Sequence, residues 1–281
     1  MKAKFTLVAI ATVVISSLAE PQLLGLNLLG KPTAPTQTQI NRERNSIAAI
    51  ESANIVYNEI IRLLPTATET PVAEAPEVDG FARAAYQKYV EAIEAYLDQV
   101  VLVSPESRQA VETARPKLYA QVVEWATHFN AAFTRALVPN DPNFLTDIAI
   151  IKTRMDAGFN GWYREASKLI TVVLNNRLGN LPILSDITHQ VQQIFSQSFS
   201  SSANYNVHVI EALKILNLQV SDTPDGKQRN YNARRDMIKY HQRKGNEAHE
   251  AVVNHLHSML GLVSTLPRIS GLTNSLGLFR T

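Results

Sequence analysis

Three of the chain's seven histidines fall in the stretch GNEAHEAVVNHLHSML, where His249 is followed directly by Glu250. Zinc hydrolases often carry two histidines four residues apart on a helix, because about 100° per residue brings both onto one face. The second histidine should then stand at position 253, which is Val253. His255 lies roughly 120° around the axis from His249, and His257 lies about 12 Å along it. A single zinc ion cannot bind ligands so far apart, so this stretch alone cannot chelate zinc on a regular helix.

The same helix has an apolar stripe, and the spacing predicts polar histidines flanking a core face rather than metal ligands. The stripe consists of Ala248, Val252, Leu256, Met259 and Val263. A metal site completed by His189, His208 or His241 from elsewhere in the chain stays open as an alternative.

Other signatures of catalysis are missing from the sequence. It has no Gly-x-Ser-x-Gly elbow, no cysteine, no phosphate-binding glycine loop and no dinucleotide fingerprint. Glu91 and Glu94 share one helix face, a spacing more typical of a wet surface than of an acid–base pair. We therefore expect a protein that is not an enzyme and has no cofactor or metal. A secreted hydrolase with a metal or carboxylate site that no motif reveals is the alternative.

The region 227–244 concentrates positive charge, with Asp236 as its only acid and Tyr231 and Tyr240 interleaved. Its basic residues are Lys227, Arg229, Arg234, Arg235, Lys239, Arg243 and Lys244. Such a patch predicts either a solvated helix start that balances acids elsewhere, or contact with an anionic partner such as a lipid headgroup, a glycan or an acidic protein.

Five large aromatic side chains recur at helical spacing in the middle of the chain. They are Trp125, Phe129, Phe133, Phe159 and Trp162. This spacing is typical of ordinary core packing, with an apolar ligand pocket as the functional alternative.

The N-terminus is typical of a secretory signal peptide. Lys2 and Lys4 precede an apolar run from Phe5 to Ile15, and small residues then lead to Ala19. An apolar run of this length is shorter than the roughly 20 residues of a membrane span. We expect cleavage after Ala19, a secreted extracellular protein and no transmembrane anchor.

Composition narrows the class of protein further. The chain has 281 residues, 45% of them hydrophobic and 19% charged, as expected of a globular protein. Of its 27 basic residues, Lys2 and Lys4 belong to the leader, and the remaining 25 match 25 acidic residues. A neutral body does not predict nucleic-acid binding. With no cysteine, a secreted chain must be stabilised by burial rather than by disulfides.

The chain divides by composition into four parts. A leader at 1–19 precedes an apolar, proline-containing lead at 20–38, and the body at 39–263 is followed by an apolar tail at 264–281. Apolar residues repeat at three- and four-residue spacing through the body, and no period-two strand pattern occurs. We therefore predict an all-α antiparallel bundle of about six long helices. An acidic linker at 66–80 should separate the first two helices.

Four details of the helices are predicted from single residues. The first helix should bury a row consisting of Ile47, Ile50, Tyr57, Ile61 and Leu64. The polar interval 196–206 should interrupt the helical pattern, and Pro116 should kink or restart its helix. Gly158 and Gly161 should mark either a break or a close approach of another helix.

These observations favour a secreted helical protein that acts by binding or as an extracellular structural component. The expected partner is an apolar small molecule held between helices or a protein docked on the bundle surface. Association with anionic lipid or glycan through the patch at 227–244 is a further alternative.

Overall fold

The structure, a computed structural model, describes most of the predicted body. The described residues are 34–64, 78–138, 141–179, 181, 183–218 and 223–266, with the backbone alone at 78–81, 224 and 227.

Several sequence-based predictions fall outside these residues. The leader at 1–19 lies wholly outside them. Most of the lead at 20–38, most of the linker at 66–80 and most of the tail at 264–281 also lie outside them. All six helices belong to one compact unit that begins at Gln37.

Six long helices make up nearly all of the described chain, which contains no strand. They are α1 Gln37–Arg62, α2 Val78–Val103, α3 Arg108–Ala136, α4 Phe144–Leu178, α5 Leu184–Asn217 and α6 Pro224–Thr265. A single 3-10 turn, Pro105–Ser107, precedes α3. The prediction of an all-α fold with about six helices is confirmed. None of the described helices combines the length and the hydropathy needed to cross a bilayer.

Neighbouring helices run antiparallel, because their paired contacts proceed in opposite directions along the sequence. Between α1 and α2, Asn41 bonds Gln99 whereas the later Ser52 bonds the earlier Ala85. The contacts reverse in the same way at the other five interfaces. The pairs are Tyr89–Trp125 and Glu94–Arg115 between α2 and α3, Trp125–Gly158 and Arg135–Asp147 between α3 and α4, and Asp156–Asn206 and Tyr163–Ser202 between α4 and α5. They are His208–His241 and Ile215–Arg234 between α5 and α6, and Arg42–Asn254 and Asn54–Gln242 between α1 and α6. Each helix packs on the next and α6 packs on α1, which closes a ring of six around one core.

The buried face of α1 differs from the predicted apolar row. Ile47 is half exposed, whereas Asn41, Asn45 and Ser52 are buried. Their donor groups are paired with α2: Asn45 Nδ2 donates to the Ala92 carbonyl at 2.6 Å, and Ser52 Oγ donates to that of Ala85 at 2.7 Å. Small polar residues allow α1 to approach α2 closely while their donor groups stay paired.

The polar interval 196–206 does not interrupt the chain, because α5 continues through it. Three of its residues, Ser198, Ser202 and Asn206, are spaced one turn apart and buried. Ser198 Oγ donates a hydrogen bond to the Ile194 carbonyl within α5, whereas Ser202 pairs with Tyr163 on α4. The prediction was wrong because paired polar side chains can form a buried helix face.

Helices α3 and α4 are both continuous across their unusual residues. Helix α3 runs through Pro116, so the predicted restart there is wrong. Gly158 and Gly161 lie inside α4, and a Cβ at Gly158 would meet the Trp125 backbone nitrogen at 3.2 Å. Close approach, rather than a break, therefore explains Gly158.

Two buried arginines satisfy carbonyls at the ends of helices. Arg177 donates to the Val103 carbonyl at 2.6 Å and to that of Leu266 at 2.7 Å, tying together the ends of α2, α4 and α6. Arg234 donates to the carbonyls of Ile215 and Leu216 at 3.0 and 2.6 Å. A cation suits these positions because the last carbonyls of a helix are unpaired and carry partial negative charge.

Candidate functional site

A cavity of about 70 Å³ lies at the mid-level of the bundle and is lined by side chains from all six helices. Its walls are mostly apolar and aromatic, with Ile93, Val122 and Leu256 among them. Most of the lining is buried, and Gln121, Phe159 and Val252 are the half-buried residues on its rim. We call this space the central cavity.

Three buried polar atoms on residues that line the central cavity have no hydrogen-bond partner among the described residues. They are Asn45 Oδ1, the Tyr96 hydroxyl and Trp162 Nε1. Asn45 is 4% exposed and Tyr96 is 1% exposed, so neither can turn to bulk solvent. An unpaired buried donor or acceptor costs about 1–3 kcal/mol. Three residues of the mostly apolar lining thus carry unpaired polar atoms, one acceptor and two donors.

Tyr89 and His249 line the same cavity and form a neutral pair. The Tyr89 hydroxyl lies 2.7 Å from His249 Nε2, and the Tyr205 ring packs on the imidazole with centroids 4.0 Å apart. Burial lowers the pKa of His249 to about 3 and raises the pKa of Tyr89 well above its ordinary value. Neither group carries a charge at neutral pH, and neither has a pKa suited to general acid–base catalysis.

Two further polar side chains of the lining pair with each other. The Tyr163 hydroxyl lies 2.7 Å from Ser202 Oγ. Burial raises the pKa of Tyr163 and that of Tyr96 above the ordinary tyrosine value. The lining thus offers hydrogen bonds but no titratable group that changes charge near neutral pH.

The structure divides the five aromatics singled out from the sequence into two groups. Phe159 and Trp162 line the central cavity, whereas Trp125, Phe129 and Phe133 do not. Trp125 stacks on Phe129 with centroids 5.5 Å apart, and Phe129 packs on Phe133 at 6.2 Å. All three are at most 1% exposed. We call these three residues the aromatic column, which is filled core.

A short polar chain anchors this column. Trp125 Nε1 donates to Asn206 Oδ1 at 2.9 Å, and Asn206 Nδ2 donates to Asp156 Oδ1 at 2.8 Å. Lys152 in turn donates to Asp156 from the next turn of α4. The indole is therefore satisfied within the protein, in contrast to that of Trp162.

The histidines of α6 differ from the sequence-based expectation. His249 and His257 are buried, at 3% and 8% exposure, so they lie within the core face rather than beside it. Burial, followed by the charge of Arg42, lowers the pKa of His257 to about 4. The stripe itself is confirmed: Ala248, Leu256, Met259 and Val263 are buried and Val252 is half-buried. A neutral imidazole can lie in such a core at low cost when a nitrogen is paired, as His249 Nε2 is with the Tyr89 hydroxyl.

No three histidine, aspartate or glutamate side chains within the described part of the chain are grouped closely enough to hold a metal ion. The carboxylates Glu91 and Glu94 also serve separate ion pairs. Glu91 accepts from Lys88 at 2.8 Å, and Glu94 accepts from Arg115 at 2.8 Å and from the Tyr119 hydroxyl. The Glu91 pair lies within α2, whereas Glu94 connects α2 to α3, so the two carboxylates bind different partners.

The basic residues of 227–244 do not share one surface. Arg234 is 5% exposed and bound to carbonyls of α5, so it is removed from any partner. Arg235 and Lys244 pair with Asp236 and Glu247.

The other basic residues of this segment face solvent. Arg229, Lys239 and Arg243 are exposed and have no carboxylate partner among the described residues, although Arg243 lies over the Tyr240 ring at 5.6 Å. The structure describes only the backbone of Lys227. An anionic partner would therefore meet three free cations rather than seven.

A wider cleft lies between α4 and α5 but has a different character. Its volume is about 680 Å³, and it is lined by side chains such as Asn175, Ser185, His189 and Gln192. These four residues are exposed, and no buried unpaired polar atom belongs to the lining. The central cavity is therefore the stronger candidate for a built site.

Sequence reasoning missed Asn45, Tyr89, Tyr96 and Ser202 as residues of the site. A partial signal was present, because Asn41 and Asn45 are one turn apart on α1, as Ser198, Ser202 and Asn206 are on α5. Small polar residues repeated at this spacing mark a helix face that pairs within the bundle. The tyrosines gave no such signal, since they occupy ordinary core positions of α2.

Comparison with known proteins does not assign a family: no family model, curated protein or solved structure matches this chain.

Proposed function

We propose that this chain is a non-enzymatic binding protein whose central cavity holds one small molecule with an apolar body and one or two hydrogen-bonding groups. The observation that carries the proposal is that Asn45, Tyr96 and Trp162, which line a mostly apolar space, each carry a buried polar atom without a partner among the described residues. The proposal refines the expectation of an apolar ligand held between helices.

The energetics favour an occupant that supplies polar groups. Leaving three buried polar atoms unpaired costs about 1–3 kcal/mol each. Water would satisfy them, since ordered waters fill polar cavities. A ligand that offers the same hydrogen bonds and also covers the apolar walls would displace that water favourably. Binding would then depend on apolar contact and on matching the polar atoms.

The cavity size limits the class of ligand. A cavity needs about 10–15 Å³ to hold one water molecule, so the central cavity of about 70 Å³ admits roughly five groups of that size. Pockets for drug-sized ligands span about 300–1,000 Å³. We therefore propose small ligands such as phenol or cresol, which have an aromatic body and one hydroxyl, and do not expect long-chain fatty acids to fit the central cavity.

The neutral state of the lining supports binding rather than chemistry. His249, with its pKa lowered to about 3 by burial, is uncharged over the physiological range. General bases work best with a pKa near the working pH. The hydrolase alternative draws no support from the described residues, whose carboxylates do not converge on the cavity. Secretion remains a proposal that rests on the leader at 1–19.

Isothermal titration with p-cresol tests the proposal, using a matched pair of tyrosine variants. Tyr96 and Tyr57 both carry a buried unpaired hydroxyl, but only Tyr96 lines the cavity. Loss of one ligand hydrogen bond costs about 0.5–1.5 kcal/mol. We expect Tyr96→Phe to weaken p-cresol binding about fivefold and Tyr57→Phe to leave it unchanged.

Two results would refute the cavity proposal. One is the absence of p-cresol binding to a folded wild-type protein at millimolar ligand. The other is an equal loss of affinity in Tyr96→Phe and Tyr57→Phe, which would place the ligand elsewhere. A fluorescent fatty-acid probe serves as the size control, and we expect it not to bind in the central cavity.

A second candidate function is association with an anionic surface, which the exposed cations of α6 favour. Lys239 and Arg243 are exposed, have no carboxylate partner among the described residues and stand four residues apart, so they share a helix face. Charge reversal at Lys239 and Arg243 should reduce retention on acidic vesicles or heparin, and added salt should reduce it as well. Salt-independent retention would contradict this candidate.

A further inference from the structure

His208 on α5 and His241 on α6 face each other across the interface between these helices. Their Nδ1 atoms are 3.1 Å apart, and their ring centroids are 5.3 Å apart. Both residues are half-buried, so one side of the pair stays open to solvent. Neither residue lines the central cavity, and His241 precedes His249 by eight residues, or about 12 Å along α6.

The distance between the two nitrogens suits a shared metal ion. Zinc–imidazole bonds are about 2.0–2.1 Å long. Two such bonds to nitrogens 3.1 Å apart enclose an angle of about 98° at the metal. This angle lies between the tetrahedral value and the right angle of square-planar coordination. A cation can therefore bridge the two nitrogens at the separation they already have, provided that each ring turns its lone pair towards it.

Several neighbouring groups set the charge around the pair. On α5, Glu211 stands one turn beyond His208 and accepts from Lys214 at 2.7 Å. On α6, Lys244 and Glu247 form an ion pair at 2.6 Å. These two acids and two bases are equal in number, so each nearby cation is matched by a carboxylate.

The imidazoles are in the protonation state that metals require. Burial, the partner His241 and Lys244 lower the pKa of His208, against the opposing effect of Glu247 and Glu211. Burial lowers the pKa of His241, against the effect of Glu211. Both rings are consequently neutral at neutral pH, and metals bind the neutral imidazole. The Tyr240 ring packs edge-on against His241 at 5.3 Å and orients it.

We propose that His208 and His241 form a binding site for one divalent late first-row cation, such as Zn²⁺, Ni²⁺ or Cu²⁺, with water in the remaining coordination positions. Imidazole nitrogen is a preferred ligand of these ions, whereas Mg²⁺ and Ca²⁺ prefer oxygen. Two protein ligands make this an open site of modest affinity. The inference is independent of the small-molecule cavity.

Isothermal titration of the untagged full chain with ZnCl₂ at pH 7.5 tests the site. We expect one equivalent of Zn²⁺ to bind in the micromolar range. His208→Ala and His241→Ala should each weaken binding about tenfold or more, since even changes to the groups that orient metal ligands cost 10–100-fold. His189→Ala is the control, because His189 is exposed on α5 away from the pair, and it should bind zinc as the wild type does.

Paramagnetic broadening by Ni²⁺ gives a second measurement that needs no variant. In histidine side-chain NMR spectra, substoichiometric Ni²⁺ should broaden the His208 and His241 signals first and leave those of His249 and His189 sharp. The proposal is overturned if broadening starts at another histidine, if no Zn²⁺ binds below about 1 mM, or if both alanine variants keep wild-type affinity.

Discussion

The aromatic column and the central cavity lie side by side in one bundle interior, yet they differ in how their buried polar atoms are paired. In the column, Trp125, Phe129 and Phe133 contact one another and the indole nitrogen of Trp125 is paired with Asn206. At the cavity, Trp162 contributes an equally large ring, but its indole nitrogen has no partner among the described residues. The difference teaches that residue type alone does not separate core from pocket, whereas the pairing of buried polar atoms does.

Truncation of the column should cause the largest loss of stability. Phe129→Ala should lower the free energy of unfolding by about 3–5 kcal/mol, because the ring is fully enclosed and a cavity would remain. Phe159→Ala, on the half-buried rim of the central cavity, should lower it by less than about 3 kcal/mol. Urea-induced unfolding of both variants measures the two values. Equal losses would contradict the distinction between a filled column and an open cavity.

The pH dependence of stability should report the neutral histidine beside the cavity. His249 has a folded pKa of about 3, below the ordinary value of about 6.5. Between these values the unfolded chain binds the extra proton, so the stability from a neutral His249 is complete above pH 6.5 and is lost as the pH falls towards 3.

The magnitude of this effect follows from linkage. Each pH unit within that range costs up to about 1.4 kcal/mol per group, so His249 should contribute about 2 kcal/mol of destabilisation between pH 6 and pH 4. His249→Gln removes the titration, and its urea-unfolding free energy should fall less over the same range. A variant with the full wild-type pH dependence would show that His249 is not buried neutral. His257→Gln gives the matched comparison, since the pKa of His257 is lowered to about 4 by burial and Arg42.

A pair of glycine variants tests how closely α3 and α4 pack, with smaller expected changes in stability. Gly158→Ala places a Cβ about 3.2 Å from the Trp125 backbone nitrogen, so α3 and α4 must separate slightly, and we expect a loss of about 1 kcal/mol. Gly261→Ala meets nothing within 4 Å and should gain about 0.5–1 kcal/mol of helix propensity. Thermal unfolding midpoints should therefore move in opposite directions. A stabilised Gly158→Ala would show that the helices beside the column are not closely packed.

The fold was largely predictable from the sequence, because helix periodicity depends on local spacing. The stripe from Ala248 to Val263 and the all-α class both follow from apolar residues at three- and four-residue intervals. The same rule failed for α1, where Ile47 faces solvent and Asn41 and Asn45 face inward. Apolar periodicity treats a buried polar residue as exposed, and only the partner helix shows that the side-chain Nδ2 groups of Asn41 and Asn45 are paired.

The candidate site was less predictable, because it depends on contacts between residues far apart in the sequence. Phe159 and Trp162 were singled out as pocket candidates, but so were Trp125, Phe129 and Phe133, which have the same spacing. The indole nitrogen of Trp125 donates to Asn206, whereas the indole nitrogen of Trp162 has no partner among the described residues. Pairing of this kind requires the relative position of α3, α4 and α5, which no local pattern encodes.

A crystal structure of the protein soaked with 4-bromophenol tests the central claim most directly, because the anomalous signal of bromine locates the ligand without reference to its affinity. We predict a single strong bromine peak inside the central cavity, with the phenol hydroxyl within hydrogen-bonding distance of Asn45, Tyr96 or Trp162. A cavity that contains only ordered water at saturating ligand, or a bromine peak confined to the protein surface, would contradict the account.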